Sequence, residues 1–244
     1  MAKKMPRPFH SGEIRNIFLA GFMCAGKTST GRLLAKRLGM KFLDTDAEVT
    51  RLKGSAPGEL IKNGGLDYFR VLEAAVVRKF ARGRGRVIAL GGGEALAGKG
   101  LAGLRKQSLV IYLSCGEKEL AGRLAGNWKT RPLIGTSEKS EIRKKVKQLL
   151  AERRPAYEKA DWIIRAGACS PAETARKIEN RLAHNRKQQK QKKAQTPPKR
   201  RHHSRRQRLQ VRRSRGRRGH GIEAQKRKNT ALTVITQIEE GLHR

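Results

Sequence analysis

Residues 21–28 read G-F-M-C-A-G-K-T, and no other stretch restricts the fold as much. The pattern G-x-x-x-x-G-K-[ST] wraps backbone N–H groups around the β-phosphate of a nucleotide. Its Lys reaches the β- and γ-phosphates, and its Ser or Thr hydroxyl ligates Mg²⁺. Such a loop needs a buried strand before it and a helix after it, because orphan amides and the helix dipole then face the anion. Both flanks comply. Residues 14–20 (I-R-N-I-F-L-A) read as a buried strand, and residues 29–38 (S-T-G-R-L-L-A-K-R-L) carry apolar side chains at helical spacing.

Beyond the loop, apolar runs alternate with helical patterns as far as about residue 183. Strands are predicted at 14–20, 41–43, 86–90, 109–113 and 161–164, and helices at 28–38, 46–52, 66–82, 95–105, 117–125, 140–159 and 171–184. This alternation predicts an α/β three-layer sandwich, a five-stranded parallel sheet flanked by helices. Ligands in such folds bind beyond the carboxyl ends of the strands. The phosphate loop, residues 44–46 and residues 91–93 all follow strands, so they are expected to cluster on one edge.

Charge divides the chain differently. The net charge is +37, of which +17 lies in the last 60 residues. An excess of this size implies attraction to polyanions and acidic metabolites. Residues 185–220 hold 16 Lys or Arg, no acid, and only Ala194, Leu209 and Val211 as apolar residues. That composition predicts disorder over 185–229, since it cannot bury enough surface to offset ordering entropy. Residues 230–244 recover apolar residues at helical spacing, and 1–11 form a basic extension. The three cysteines, Cys24, Cys115 and Cys169, are widely spaced without a C-x-x-C, which suggests neither a disulfide framework nor zinc and makes a reducing cytoplasm the expected setting. No run of 18 apolar residues is present, so no membrane span is expected.

Five polar groups could specify the chemistry: F-L-D-T-D at 42–46, G-G-L-D-Y-F-R-V-L-E at 64–73, V-I-A-L-G-G-G-E at 87–94, R-P-L-I at 131–134 and R-R-P-A-Y-E-K-A-D at 153–161. Each has a plain alternative. Asp46 could be only a helix cap. Arg70 and Glu73 could be a surface pair, Arg153 a solvated charge, and Gly91, Gly92 and Gly93 a turn.

Taken together, these groups resemble the shikimate kinase family over about residues 12–184. Asp44-Thr45-Asp46, Gly54, Gly65, Phe69-Arg70, Glu73 and the Gly91–Gly92–Gly93 triplet match its motifs in order and spacing. The resemblance implies a P-loop fold like that of nucleoside monophosphate kinases, and phosphorylation of the 3-hydroxyl of shikimate by ATP with Mg²⁺. It implies that Cys24, Ala25, Gly26, Lys27, Thr28, Ser29, Arg123 and Arg131 bind ATP. Thr28 and Asp44 would serve Mg²⁺, the latter through water. Asp46, Arg70, Gly91, Gly92, Gly93 and Arg153 would bind shikimate, with Asp46, Lys27 and Arg131 as the catalytic set. Glu73 would hold Arg70, and residues 126–138 would form a lid. A monomer is expected.

Three positions depart from the family pattern. Cys24 stands where many P-loops have Gly, which suits a residue keeping φ below zero. Leu66 replaces a usual Glu, and Ile61 an often aromatic residue. A different small-molecule or nucleotide kinase is one alternative. A nucleic-acid-binding protein is another, its basic tail giving weak, salt-dependent, non-specific polyanion binding.

Overall fold

The computed structural model describes residues 14–91, 104, 108–126, 134 and 138–195. Five strands form one parallel sheet: β1 (Asn16–Ala20), β2 (Lys41–Asp44), β3 (Arg86–Ala89), β4 (Ser108–Ser114) and β5 (Trp162–Arg165), ordered β2-β3-β1-β4-β5. Among the described residues there are six helices: α1 (Lys27–Leu38), α2 (Thr45–Lys53), α3 (Pro57–Arg82), α4 (Glu117–Ala125), α5 (Lys139–Tyr157) and α6 (Pro171–Gln195). The expected α/β architecture is therefore present.

The strand sequences explain the layering. β1 is buried at every position, and β4 at all but the last. Their uninterrupted apolar runs reflect a sheet covered on both faces. The outer strand β5 instead alternates buried and exposed residues. β1 is central, with Leu19 in register with Ala89 of β3 and Ile111 of β4. Asn16, buried at its start, donates through Nδ2 to Gly83 O at 2.7 Å and accepts from Arg86 N at 3.1 Å. This amide fixes the turn that feeds β3. On α5, Ile142, Val146, Leu150 and Tyr157 are buried at helical spacing, and each large apolar side chain so covered contributes roughly 1.5–3 kcal/mol relative to exposure.

Two helices depart from expectation. α3 begins at Pro57, nine residues before the predicted start, and breaks at Gly65 (φ 80°, ψ 168°). Only a residue without Cβ enters that conformation freely. Pro57 at the first helical position starts the extra turns, which the Gly-rich sequence around Gly64 had obscured.

The chain divides into two units, Met1–Ala183 and His184–Arg244, and the sheet belongs to the first. Of the second, residues 184–195 are described, and they are helical. The expected disorder is thus corrected for residues 185–195. Lys, Arg, Gln and Ala are good helix formers, and elongating an existing helix avoids the cost of nucleation. The rest of the tail, including 230–244, lies outside the described residues, as do the 1–11 extension and the 95–105 helix apart from buried Leu104. No helix among the described residues is long and apolar enough to cross a membrane.

Candidate active site

Three strand ends meet at one edge of the sheet. β1 runs into the loop ending at Gly26, whose left-handed conformation (φ 87°) opens α1. Lys27 Nζ donates to the carbonyl oxygens of Gly21 and Phe22, both at 2.9 Å, which tethers the ammonium to the loop it follows. Thr28 Oγ1 donates to Asp44 Oδ2 at 2.8 Å, joining the start of α1 to the end of β2. Asp44 Oδ1 accepts from the N–H groups of Asp46 (3.0 Å) and Ala47 (3.4 Å). The cap of α2 is therefore Asp44. Asp46 sits inside the first turn, which removes the plain reading of Asp46 as that cap.

β3 brings the third element. Gly91 N donates to Thr45 Oγ1 at 2.7 Å across 46 residues of sequence. A Cβ built on Gly91 would collide with Asp46 Oδ1 and Glu73 Oε1. Carboxylates from α2 and α3 thus converge on one backbone position, where any side chain would displace them. Glu73 is 1% exposed, and its Oε2 accepts from Arg70 Nη1 at 2.9 Å. The Arg70–Glu73 pair is therefore not a surface pair.

A second arginine reaches the same neighbourhood from α5. The Arg153 guanidinium lies 5.8 Å from the centroid of the Phe22 ring, in the phosphate loop, within the range of cation–π attraction. Tyr157, one turn later, is fully buried and stacks on Tyr112 at 5.0 Å with an interplanar angle of 25°. Burial pushes its phenol up to about 12, with the charge of Arg153 and a hydrogen bond to it opposing that rise and Glu73 adding to it. Tyr157 therefore lies within electrostatic reach of both Arg153 and the carboxylate that pairs with Arg70.

A cavity of about 470 Å³ runs along this edge, within the usual range for small-ligand sites. Cys24, Ala25, Gly26, Lys27, Thr28 and Ser29 line its length, and Asp44 and Asp46 close one end. Ala166, Cys169, Pro171 and Thr174 form the other end with Arg123. Arg123 Nη1 donates to Cys24 O at 3.0 Å, and Nη2 to Gly167 O at 2.9 Å. This one guanidinium ties the phosphate loop to the loop between β5 and α6.

Cys24 requires a correction. Its φ is +60°, the only positive value among the described non-glycine residues, whereas the sequence reading asked for a negative one. The tie from Arg123 to its carbonyl helps hold the loop in this form. A non-glycine residue there costs about 1–2 kcal/mol. Cys24→Gly is expected to leave stability unchanged or raise it by up to about 1 kcal/mol, after subtracting the added entropy of the unfolded chain. Cys24→Val, β-branched, is expected to lose roughly 1 kcal/mol or more. Urea unfolding of the three proteins measures this order, and a Val variant as stable as the parent would contradict it.

Of the expected site residues, Gly92, Gly93 and Arg131 lie outside the described residues, with all of the proposed lid except Gly126, Ile134 and Glu138. Leu66 is 41% exposed, directly after the Gly65 break, and Ile61 is half-buried. Sequence reasoning missed Phe22, Thr45, Tyr157 and the far end of the cavity. Tyr157 stood within a quoted motif. The G-A-C-S-P turn after β5 could have been found as one more loop at a strand end.

The family profile described as shikimate kinase matches residues 23–183. The chain is 35% identical over 165 residues to a shikimate kinase of Thermodesulfovibrio yellowstonii, covering 68% of this chain and 93% of that protein. It is 39% identical over 167 residues to a shikimate kinase of Moorella thermoacetica, covering 68% and 94%. Among solved structures, a shikimate kinase from Acinetobacter baumannii in complex with shikimate superposes with a TM-score of 0.65 at 30% identity, over 71% of this chain and 95% of that one.

Proposed function

The chain belongs to the shikimate kinase family, and from that premise we propose that it transfers the γ-phosphoryl group of ATP to the 3-hydroxyl of shikimate, giving shikimate 3-phosphate for chorismate and aromatic amino acid synthesis. The observation that carries this reading is the meeting of Asp46 and the Glu73–Arg70 pair over Gly91, beside the phosphate loop.

The roles follow from chemistry. Backbone N–H groups of residues 24–29 cradle the phosphates, with the N-terminus of α1 adding its dipole. Lys27 and Arg131 offset charge on the phosphoryl group in transfer. Arg70 and Arg153 grip the shikimate carboxylate, since a planar guanidinium matches two carboxylate oxygens. Glu73 and Tyr157 hold those arginines in place. The Gly92 N–H binds a ring hydroxyl. Asp46 accepts the hydrogen bond of the attacking 3-hydroxyl and takes its proton as the new P–O bond forms and the bond to ADP breaks.

Mg²⁺ fits Thr28 and Asp44. Their oxygens lie side by side at 2.8 Å, and hard oxygen donors are what this ion takes. Held by Thr28 and Asp44, the ion would supply positive charge to offset that of the phosphates.

A coupled assay measuring ADP release against shikimate, gluconate and nucleoside monophosphates tests the reaction. Turnover with shikimate is expected, and turnover with another acceptor alone would refute the proposal. Arg70→Ala is expected to raise KM for shikimate about 10- to 150-fold, from a charge-assisted contribution of about 1.5–3 kcal/mol. KM for ATP should barely change. Because Arg70→Ala also strips Glu73 of its ion-pair partner, Arg70→Lys is the second arm. It keeps the charge but loses the fork, and should raise the same KM by a smaller factor. A change in KM for ATP alone would remove Arg70 from the acceptor site.

A further inference from the structure

The kinase reading leaves the second unit unexplained. The family profile ends at residue 183, where this unit begins. We propose that residues 184–220 are a cationic arm that binds the phosphodiester backbone of nucleic acid.

The first part of the arm has a defined form. Residues 184–195 are helical, a rod of about 18 Å at 1.5 Å per residue. Arg186 and Lys187 are exposed on it, and Gln188 bonds to His184 one turn back at 2.8 Å. Residues 184–195 contain no acid, so the charge of this segment is not neutralised within it. Beyond it the sequence turns from lysine to arginine. Eleven of the 16 basic residues in 185–220 are Arg, ten of them between residues 200 and 218. Arginine meets phosphate oxygens two at a time and sheds water more readily than lysine.

The same observations argue against other polyanions. An anionic membrane is gripped by helices with an apolar face, yet the only apolar residue in 184–195 is Ala194. An acidic protein surface ordinarily adds apolar anchors at its centre, and the whole arm offers only Ala194, Leu209 and Val211. A duplex presents about one charge per 1.7 Å of axis and rewards a dense cation array by releasing counterions. No Phe, Trp or Tyr occurs in 184–220, so bases are not stacked upon and the contact is with backbone, independent of sequence.

The test compares the full chain with a full-length variant in which all 16 Lys and Arg of 185–220 are Gln, a residue that preserves helix propensity. Fluorescence anisotropy is read with labelled DNA and RNA duplexes of unrelated sequence. The full chain should bind both, losing about 10³–10⁵ in affinity between 50 and 200 mM salt if roughly six to ten phosphates are engaged. The Gln variant should bind at least about 100-fold more weakly at 50 mM salt, with unchanged kinase kcat/KM. Equal binding by the two proteins would overturn the proposal. So would tighter binding of the full chain to anionic vesicles or polyglutamate than to duplexes at the same salt. Binding is read without turnover, so its failure is separable from failure of the kinase reading.

Discussion

Asp46→Asn is expected to lower kcat by about 10²–10⁴-fold, the usual contribution of a positioned general base. Affinity for ATP should change little. The separation follows from geometry. Asp44, not Asp46, caps α2 and contacts Thr28, so the local fold and the phosphate end of the cleft survive the change. Asn keeps the shape of Asp46 and its closeness to Gly91, but it cannot take a proton. Steady-state kinetics with ADP titration separates the two effects. A variant with reduced ADP affinity and near-normal kcat would place Asp46 on the nucleotide side instead.

Lys27→Ala is expected to reduce kcat/KM for ATP by about 10³-fold or more, at or beyond the loss seen when one transition-state donor is removed. Its two hydrogen bonds to Gly21 and Phe22 carbonyls hold the ammonium close to where phosphate charge develops, so little reorganisation is needed during transfer. Those bonds also serve the fold. Their loss should lower stability by roughly 1.5–3 kcal/mol, the range for hydrogen bonds to charged groups, and thermal unfolding checks that part. Lys27→Arg should not restore activity, because a longer planar group cannot occupy a site shaped for a point charge. Rescue by Arg would mean that charge alone, and not its placement, sustains the reaction.

What could be read in the sequence was whatever repeats a local rule. The phosphate loop, the acids after β2 and the glycine after β3 all sit in short connections between apolar runs, so their order and edge followed from the alternation of strand and helix. Three kinds of feature escaped. The first depends on contacts distant in sequence. Arg123 uses its donors on carbonyls 99 and 44 residues away, and no spacing rule announces that. The second is backbone conformation at an unremarkable residue: nothing in the letters around Cys24 demands a positive φ. The third is propensity acting where burial was weighed alone. The lysines and glutamines after residue 184 cannot build a core, yet they extend a helix readily. The far end of the cleft was missed because Ala166, Cys169, Pro171 and Thr174 carry no charge and form no pattern.

Gly91 also has a meaning for laboratory evolution. A methyl there would have to push aside the ends of two acidic side chains, so libraries randomised at this position should be enriched in the parental residue. Selection for a new acceptor would have to explore other walls of the pocket.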